Sequence, residues 1–235
     1  MGLKPLEEEY ITMGMSAYGS SAGSDTLLQN LISNVREVKF KHNHHMGIDI
    51  DLLPSHNAQD LAASAQRVAE YLIQSVIKQA RFLVDSSNLV YGGGVALNCL
   101  ANRDLGRYYR NIWIMPNPGD AGSSLGAAAL AHGGRLQWQD AFLGHDIPGE
   151  YPVKEVLDRL ITDKIVGVAS GRAEWGPRAL GNRSLFGDPR IADIRDQMNL
   201  AKQREPFRPF APVIIAELAT TYFDLRSEEH TSELQ

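Results

Sequence analysis

The sequence predicts an α/β fold, because short apolar strands, glycine-rich turns and helices follow one another twice in the middle of the chain. The first repeat runs from a strand at 88–91 through three glycines into a helix over about 95–108. The second runs from a strand at 112–115 through a Pro-Asn-Pro-Gly turn into a helix over about 121–132. Strand, glycine turn and helix in succession are typical of an α/β nucleotide-binding lobe.

A long amphipathic helix is predicted ahead of the first strand, over residues 55–83. Ser55 or Asn57 can cap its start, since a short polar side chain there accepts a hydrogen bond from a backbone N–H of the first turn. Its apolar side chains recur at helical spacing: Leu61, Ala65, Val68, Leu72 and Val76. This periodicity predicts that one face of the helix packs on the core.

A domain boundary is predicted between about 136 and 152, where the periodicity weakens and glycine and proline accumulate. Beyond it, the pattern predicts a short amphipathic helix over 153–162 and an apolar strand over 165–169. A further helix is predicted over 193–201. The chain therefore reads as two α/β regions joined by an irregular segment.

The composition is that of an ordinary globular protein, with 43% hydrophobic and 22% charged residues in a chain of 235. A net charge of -5 argues against nucleic-acid binding, which needs a strongly basic surface. The single cysteine, Cys99, cannot form an internal disulfide, and its apolar neighbours predict a place in the core. Because the chain has neither a signal peptide nor an apolar run of about 20 residues, we expect a cytoplasmic protein without a membrane partner.

Basic residues are concentrated between Gly171 and Phe210, in a segment interrupted by glycines and prolines. Five acidic residues oppose eight basic ones: Arg172, Arg178, Arg183, Arg190, Arg195, Lys202, Arg204 and Arg208. On charge alone, an exposed basic loop explains the segment equally well. Glycine and proline, however, hold these bases in turns, and a fixed guanidinium suits bidentate binding of phosphate or carboxylate. The segment therefore predicts an oxyanion site.

Five sequence blocks resemble those of the O-carbamoyltransferase family, which includes nodulation and antibiotic-tailoring enzymes, and they follow one another along the chain in the family's order. The family's hallmark is the run GPRALGNRS, found at 176–184, followed by K-x-R-E-x-F-R-P-F-A-P, found at 202–212. Two glycine-rich blocks precede it, GGVALNCLANRDL at 93–105 and PNPGDAGSSLGAA at 116–128. The block TMGMSAYG at 12–19 is similar to the family's MGLAPYG but departs from it in the middle. One glycine-rich loop alone would be weak evidence, whereas five ordered blocks are specific.

The resemblance implies two domains. Residues 1–145 would form the C-terminal lobe of an actin-like ATPase (ASKHA) fold, and residues 152–225 the start of a YrdC-like α/β domain. The last ten residues, 226–235, read RSEEHTSELQ, which is the translation of a common sequencing adapter, so they are left out of the fold prediction. We also expect parts of the family's sequence to be missing at both ends, and the chain alone to be inactive.

The resemblance also implies a carbamoyl-phosphate site built from four basic residues: Arg178, Lys202, Arg204 and Arg208. The alternative is that these bases are exposed or paired with acids. Lys202 in particular would suit the negative end of the helix predicted before it. Arg183 and Asn182 could brace the loop rather than bind a ligand.

A nucleotide site is implied at the first glycine-rich turn, where glycine lets backbone N–H groups approach a phosphate or ribose closely. Its candidate residues are the following: Gly92, Gly93, Gly94 and Asn98. The alternative is a tight strand-to-helix turn that binds no ligand.

A divalent metal is implied at Asp120, which resembles the family's metal-ligating aspartate and whose carboxylate suits iron, manganese or magnesium. The alternative is that Asp120 caps the helix that follows it. The family's partner ligands, a histidine pair spaced H-x-x-x-H, would precede residue 1, so a site built from Asp120 alone is incomplete. His42, His44 and His45 lie in a polar turn without matching ligands, and we do not expect them to bind a metal.

The resemblance as a whole implies ATP-dependent O-carbamoyl transfer. Carbamoyl phosphate and ATP would give carbamoyl-adenylate, and the carbamoyl group would then pass to a hydroxyl of a small-molecule acceptor such as a sugar or an antibiotic. Two alternatives remain open from the sequence. One is a kinase of the same actin-like fold; the other is an inactive remnant that only binds a nucleotide or a partner subunit.

Overall fold

The computed structural model describes residues 1, 3–4, 7–45, 47–48 and 56–223. Two features predicted from the sequence, the cap at Ser55 and the segment 226–235, lie outside them. The chain divides into two compact units, each made of several stretches. The first unit contains Met1–Leu89, Asn98–Ile112 and Phe207–Pro209, and the second contains Val90–Leu97, Trp113–Pro206 and Phe210–Gln235.

The first unit is built around one long helix. Its helices are α1 (Glu9–Met15), α2 (Ser24–Leu31), α3 (Ala58–Leu83) and the four-residue α4 (Cys99–Asn102). Strands β1 (Ile32–Asn34) and β2 (Lys39–Phe40) pair antiparallel. Single 3-10 turns lie at Ser16–Tyr18 and Leu105–Arg107.

Helix α3 confirms the amphipathic prediction at its start and along most of its length. The side chain of Asn57 accepts a hydrogen bond of 2.8 Å from the N–H of Asp60, which is the arrangement of an N-cap. Leu61, Val68 and Leu72 are buried and pack in one cluster with Leu27 of α2. Burial of this kind stabilises by about 25 cal/mol per Å² of apolar surface removed from water.

The apolar stripe of α3 is helical to its last position, as predicted, but the last side chain does not pack on the core. Val76 is 48% exposed, whereas the next residue, Ile77, is 3% exposed. Near this end the hydroxyl of Ser75 donates to the carbonyl of Val35, so the neighbouring segment covers a different side of the helix. A one-residue step turns a side chain by about 100° on a helix, which accounts for the exchange.

The single helix predicted over 95–108 is also wrong. Its place is taken by a 3-10 turn (Gly94–Leu97), α4 and the 3-10 turn Leu105–Arg107. The side chain of Asn98 accepts from the N–H of Ala101 and caps a new helix there, because asparagine competes with the helical backbone for hydrogen bonds. Cys99 is therefore the first residue of α4 and is exposed rather than a core residue.

In the part of the chain that the structure describes, the second unit contains four helices of seven to eleven residues and two-stranded sheets. Its helices are α5 (Ser123–His132), α6 (Val153–Asp163), α7 (Ile194–Ala201) and α8 (Ala216–Tyr222). Its strands are β5 (Asp146–Ile147), β6 (Ile165–Ala169), β7 (Gly171–Arg172) and β8 (Arg183–Gly187). The two earlier strands, β3 (Asn88–Tyr91) and β4 (Asn111–Ile114), pair with each other. The strands and helices predicted near 88–91, 121–132, 153–162, 165–169 and 193–201 are thereby confirmed.

Strands β6 and β8 pair antiparallel from Ile165↔Gly187 to Ala169↔Arg183. Helix α7 packs directly over β8, since a Cβ added to Gly187 would overlap the sulfur of Met198 and lie 2.7 Å from Ile194. The chain between the paired strands, which carries β7 and the GPRALGN sequence, is held at both ends by this ladder.

The fold is mixed α/β, as predicted, with four two-stranded sheets among the described residues. The finer assignments, an actin-like lobe and a YrdC-like domain with their boundaries, stay predictions. None of the helices in the described part of the chain combines the length and the apolar character needed to cross a membrane.

Candidate functional site

Two of the loops singled out in the sequence meet in the second unit. The glycine loop (residues 92–97) donates a hydrogen bond of 2.8 Å from the N–H of Gly93 to the carbonyl of Pro118 in the proline turn (residues 116–122). A Cβ on Gly119 would lie 3.8 Å from the Cα of Gly94. Gly93 has φ +94°, a conformation that glycine adopts readily and other residues rarely do.

A third loop, the arginine loop (residues 174–183), packs against the same turn. Gly176 has φ +137°, and a Cβ there would overlap the carbonyl oxygen of Pro116 and lie 2.9 Å from its carbon. From this loop, Nη2 of Arg178 donates to the carbonyl of Leu97 at 3.1 Å. Three motifs that are far apart in the sequence are thus brought to one place in one unit, and Arg178 bridges two of them.

The arginine loop is organised around one carboxylate oxygen. Oε1 of Glu174 accepts hydrogen bonds from the N–H groups of Leu180 (2.8 Å), Asn182 (2.8 Å) and Arg183 (3.2 Å). Burial alone would raise the pKa of Glu174, but the backbone N–H donors outweigh it and the pKa lies below its usual value. The carboxylate is therefore ionised and serves as an internal ligand for the loop.

Tyr151 adds a contact on the other side of the same loop. Its hydroxyl donates to the carbonyl of Gly181 at 3.0 Å, while the N–H of Gly181 donates to Oγ of Ser184 at 2.9 Å. Burial and the negative charge of Glu174 raise the pKa of Tyr151. The phenol therefore stays protonated and remains a donor at neutral pH.

Arg183 braces the loop rather than facing a ligand. Its guanidinium donates to four backbone carbonyls: Ser170 (2.9 Å), Asn182 (2.7 Å), His145 (3.0 Å) and Gly171 (3.2 Å). Nδ2 of Asn182 donates to the carbonyl of Arg172 at 2.8 Å. The bracing role that the sequence left open for both residues is the one observed.

The four bases predicted to bind carbamoyl phosphate differ in exposure and in the contacts that they make with other protein groups. Arg178 and Lys202 are exposed, and within the described part of the chain the ammonium of Lys202 contacts no acceptor. Arg204 donates from Nε to Oδ1 of Asn199 at 2.6 Å, and its guanidinium lies 4.2 Å from the centre of the Phe210 ring.

Arg208 differs from the other three, because it belongs to the first unit. Its guanidinium lies 5.0 Å from the centre of the Tyr10 ring, a cation–π contact. The prediction that all four bases bind one ligand is not tested by this arrangement. Arg178 and Lys202 are exposed, whereas Arg204 and Arg208 are partly buried.

The predicted nucleotide residues fall into two groups. Gly92, Gly93 and Gly94 face open space, with no atom near the position of a Cβ on any of them. Asn98 lies in the first unit and exchanges two hydrogen bonds with Gln66, of 2.9 and 3.0 Å, besides capping α4. The glycines are therefore accessible to a ligand, whereas the amide of Asn98 already has protein partners.

Asp120 is exposed and begins a 3-10 turn, Asp120–Gly122, directly before α5. The N-cap residue of α5 is Gly122, without a side-chain hydrogen bond, so Asp120 does not cap this helix. Among the residues described, no three or more His, Cys, Asp or Glu side chains group as metal ligands. One carboxylate does not make a metal site, and the prediction of a divalent metal at Asp120 stays untested.

A cavity of about 520 Å³ lies beside the arginine loop within the second unit. Its lining includes the polar groups of Arg172, Asn182 and Asp140 and the ring of Trp138. Neither this cavity nor the role of Glu174 was predicted from the sequence. Glu174 stands two residues before GPRALGNRS, but a local sequence pattern does not indicate which backbone N–H groups a carboxylate will bind.

In the second unit, mixed α/β elements thus hold the glycine loop and the arginine loop around the proline turn. Comparison with known families then gives the chain's membership. Residues 1–129 match the family described as carbamoyltransferase N-terminus, and residues 157–234 match carbamoyltransferase C-terminus. The chain belongs to the carbamoyltransferase family. The second match includes most of the segment 226–235, and the adapter interpretation of that segment stays a prediction.

Individual relatives support the same membership. The chain is 32% identical over 196 residues to nodulation protein NolNO of Sinorhizobium fredii, covering 71% of this chain and 29% of that one. It is 32% identical over 196 residues to nodulation protein NolO of Bradyrhizobium diazoefficiens, covering 71% and 36%. It is 33% identical over 279 residues to the protein sll1178 of Synechocystis, covering 95% and 45%. The chain thus spans less than half the length of each of these relatives.

Proposed function

We propose that this chain provides the carbamoyl-phosphate binding part of an ATP-dependent O-carbamoyltransferase. The observation that carries the proposal is the meeting of the glycine loop, the proline turn and the arginine loop in one unit, with Arg178 exposed between them. Both family matches support it, since they cover the segments in which these loops lie.

In the proposed reaction, carbamoyl phosphate binds through its phosphate to Arg178 and Lys202, with Arg204 of the same unit as a further candidate. Charge-assisted hydrogen bonds from guanidinium and ammonium groups suit a dianionic phosphate. The open backbone of Gly92, Gly93 and Gly94 would accommodate ATP. Water would cleave the P–O bond of carbamoyl phosphate to give carbamate and phosphate, and a carbamate oxygen would attack the α-phosphorus of ATP and release pyrophosphate. An acceptor hydroxyl would then attack the carbamoyl carbon of the carbamoyl-adenylate, lose its proton and release AMP.

Isothermal titration of the 235-residue chain with carbamoyl phosphate tests the site itself. Each charge-assisted hydrogen bond contributes about 1.5–3 kcal/mol, so Arg178→Ala should weaken binding by about 10- to 150-fold. Arg195→Ala is the matched control, because Arg195 is an exposed base on α7 whose Nε already donates to Asp196. Equal affinity in the wild-type chain and the Arg178→Ala variant would remove Arg178 from the site.

Ligand binding without turnover is the second candidate function, and it is favoured because the described residues include no group of His, Cys, Asp or Glu side chains that could hold a metal with Asp120. A single carboxylate holds a metal weakly, so a step that needs carbonyl polarisation would lack its cation. The expected signature is a rise in Tm with ATP or carbamoyl phosphate and no release of pyrophosphate. Pyrophosphate release by the 235-residue chain would exclude this alternative.

A further inference from the structure

We propose that Glu174 is a positioning residue for anion binding, which fixes the arginine loop so that Arg178 faces the ligand. This inference rests on the carbamoyl-phosphate site proposed above. Glu174 itself would make no contact with the ligand and would act through the backbone that carries Arg178.

The first support is the spacing of the three donors that Glu174 engages. They lie six, eight and nine residues after it, at Leu180, Asn182 and Arg183, and all reach the same oxygen, Oε1. One side chain therefore closes the whole loop. An ionised acceptor makes such bonds about twice as strong as a neutral one does.

The second support is that the two halves of the loop are fixed separately and Arg178 lies between them. The first half is held where Gly176 packs on the carbonyl of Pro116. The second half is held by Glu174, by the hydroxyl of Tyr151 on the carbonyl of Gly181, and by Arg183. Loss of the Glu174 contacts would loosen the second half only, because Leu180, Asn182 and Arg183 would lose the acceptor of their N–H groups. The backbone on that side of Arg178 would then be held by Tyr151 and the Arg183 guanidinium alone.

The third support comes from charge. A carboxylate four residues from Arg178 could compete with a ligand for the guanidinium. Oε1 of Glu174 instead accepts from three backbone N–H groups, so this oxygen holds the loop rather than the guanidinium. Arg178 directs its one observed hydrogen bond to the carbonyl of Leu97 and none to Glu174 among the described residues.

The experiment measures Kd for inorganic phosphate and for carbamoyl phosphate by isothermal titration of the 235-residue chain. Four variants are compared with the wild type: Glu174→Gln, Glu174→Ala, Arg178→Ala and the double variant Glu174→Ala/Arg178→Ala. Glu155→Ala is the matched control, because Glu155 is an exposed carboxylate in the first turn of α6.

We expect Glu174→Ala to weaken binding by at least about tenfold, since preorganisation is lost. Glu174→Gln should weaken it by only about threefold, because its amide oxygen still accepts from the N–H groups. In the Arg178→Ala background, Glu174→Ala should change Kd by less than about twofold, because residues that act through one another are not additive. An effect of Glu174→Ala that persists at full size without Arg178 would overturn the proposal, as would wild-type affinity in Glu174→Ala.

Amide hydrogen exchange at Leu180, Asn182 and Arg183 separates this proposal from the proposed function. If the wild-type chain binds neither ligand, the function and the positioning role both fall, whatever the exchange rates. If the wild type binds, exchange should be faster at these three amides in Glu174→Ala and unchanged in Glu155→Ala. Should Glu174→Ala fail to fold, the Glu174→Gln variant decides: wild-type affinity with faster exchange at these amides would overturn the proposal.

Discussion

A methyl group added at Gly122 would strike the backbone of the proline turn. A Cβ on Gly122 would overlap the carbonyl oxygen of Asn117 and lie 3.0 Å from its carbon. The obstacle is main chain rather than the end of a flexible side chain, so the turn itself has to move. Overpacking of this kind costs about 1–3 kcal/mol, and a backbone obstacle places Gly122→Ala near the upper end, at about 3 kcal/mol.

Gly126, four residues further along, provides the matched control. A Cβ there meets nothing within 4 Å, and the residue lies in the interior of α5. Alanine is favoured over glycine in a helix by about 1 kcal/mol, so Gly126→Ala should stabilise by up to that amount. The two substitutions, chemically identical, should therefore differ by about 4 kcal/mol.

Urea unfolding followed by tryptophan fluorescence measures this difference in the unit concerned. All three tryptophans, Trp113, Trp138 and Trp175, lie in the second unit. With a slope of about 2 kcal/mol per molar urea, Gly122→Ala should lower the midpoint by about 1.5 M. A midpoint within experimental error of the wild type, or equal losses from Gly122→Ala and Gly126→Ala, would refute the packing of this turn.

Three further predictions concern stability. Arg183→Met should destabilise the second unit by about 2–4 kcal/mol in urea titrations, because four carbonyls lose a charged donor; Arg159→Ala, which removes a surface ion pair, should cost less than about 1 kcal/mol. Asn57→Ala should lower stability by about 1 kcal/mol through loss of the α3 cap, whereas Asn57→Asp should retain it. The Arg190 guanidinium holds the pKa of Asp188 at about 2, below its ordinary value of 3.8. The stability this provides is present above about pH 4 and lost as the pH falls toward 2, so Asp188→Asn should flatten that part of the Tm–pH curve.

Elements fixed by neighbouring residues could be predicted from the sequence. Asn57 caps the start of α3 because its side chain accepts a hydrogen bond from the N–H three residues later, and both residues can be read from the local sequence. Short apolar runs next to glycine or proline correctly predicted the strands at 88–91 and 165–169. The grouping of the two glycine-rich loops also agrees with the repeated strand–turn–helix pattern.

Features that depend on distant partners could not be predicted. The helix predicted over 95–108 is interrupted at Asn98. The side-chain amide of Asn98 is hydrogen-bonded to Gln66, 32 residues away, and Cys99 therefore lies at an exposed helix start. The sequence left open that Arg183 braces the loop, but it did not show that His145 and Ser170 would supply carbonyls that engage it. Periodicity reports which face of an element is apolar, but not which polar groups will be nearby after folding.

The arginine loop also differs from most surface loops in how it should respond to changes in length. Loops usually tolerate insertions, because their backbone groups bond to water. Here Glu174 accepts hydrogen bonds from N–H groups six, eight and nine residues after it, and the guanidinium of Arg183 donates to carbonyls that precede it in the chain. One extra residue between 175 and 179 would displace these N–H donors from the carboxylate. Insertion scanning should therefore find that this stretch tolerates insertions as poorly as a helix interior does.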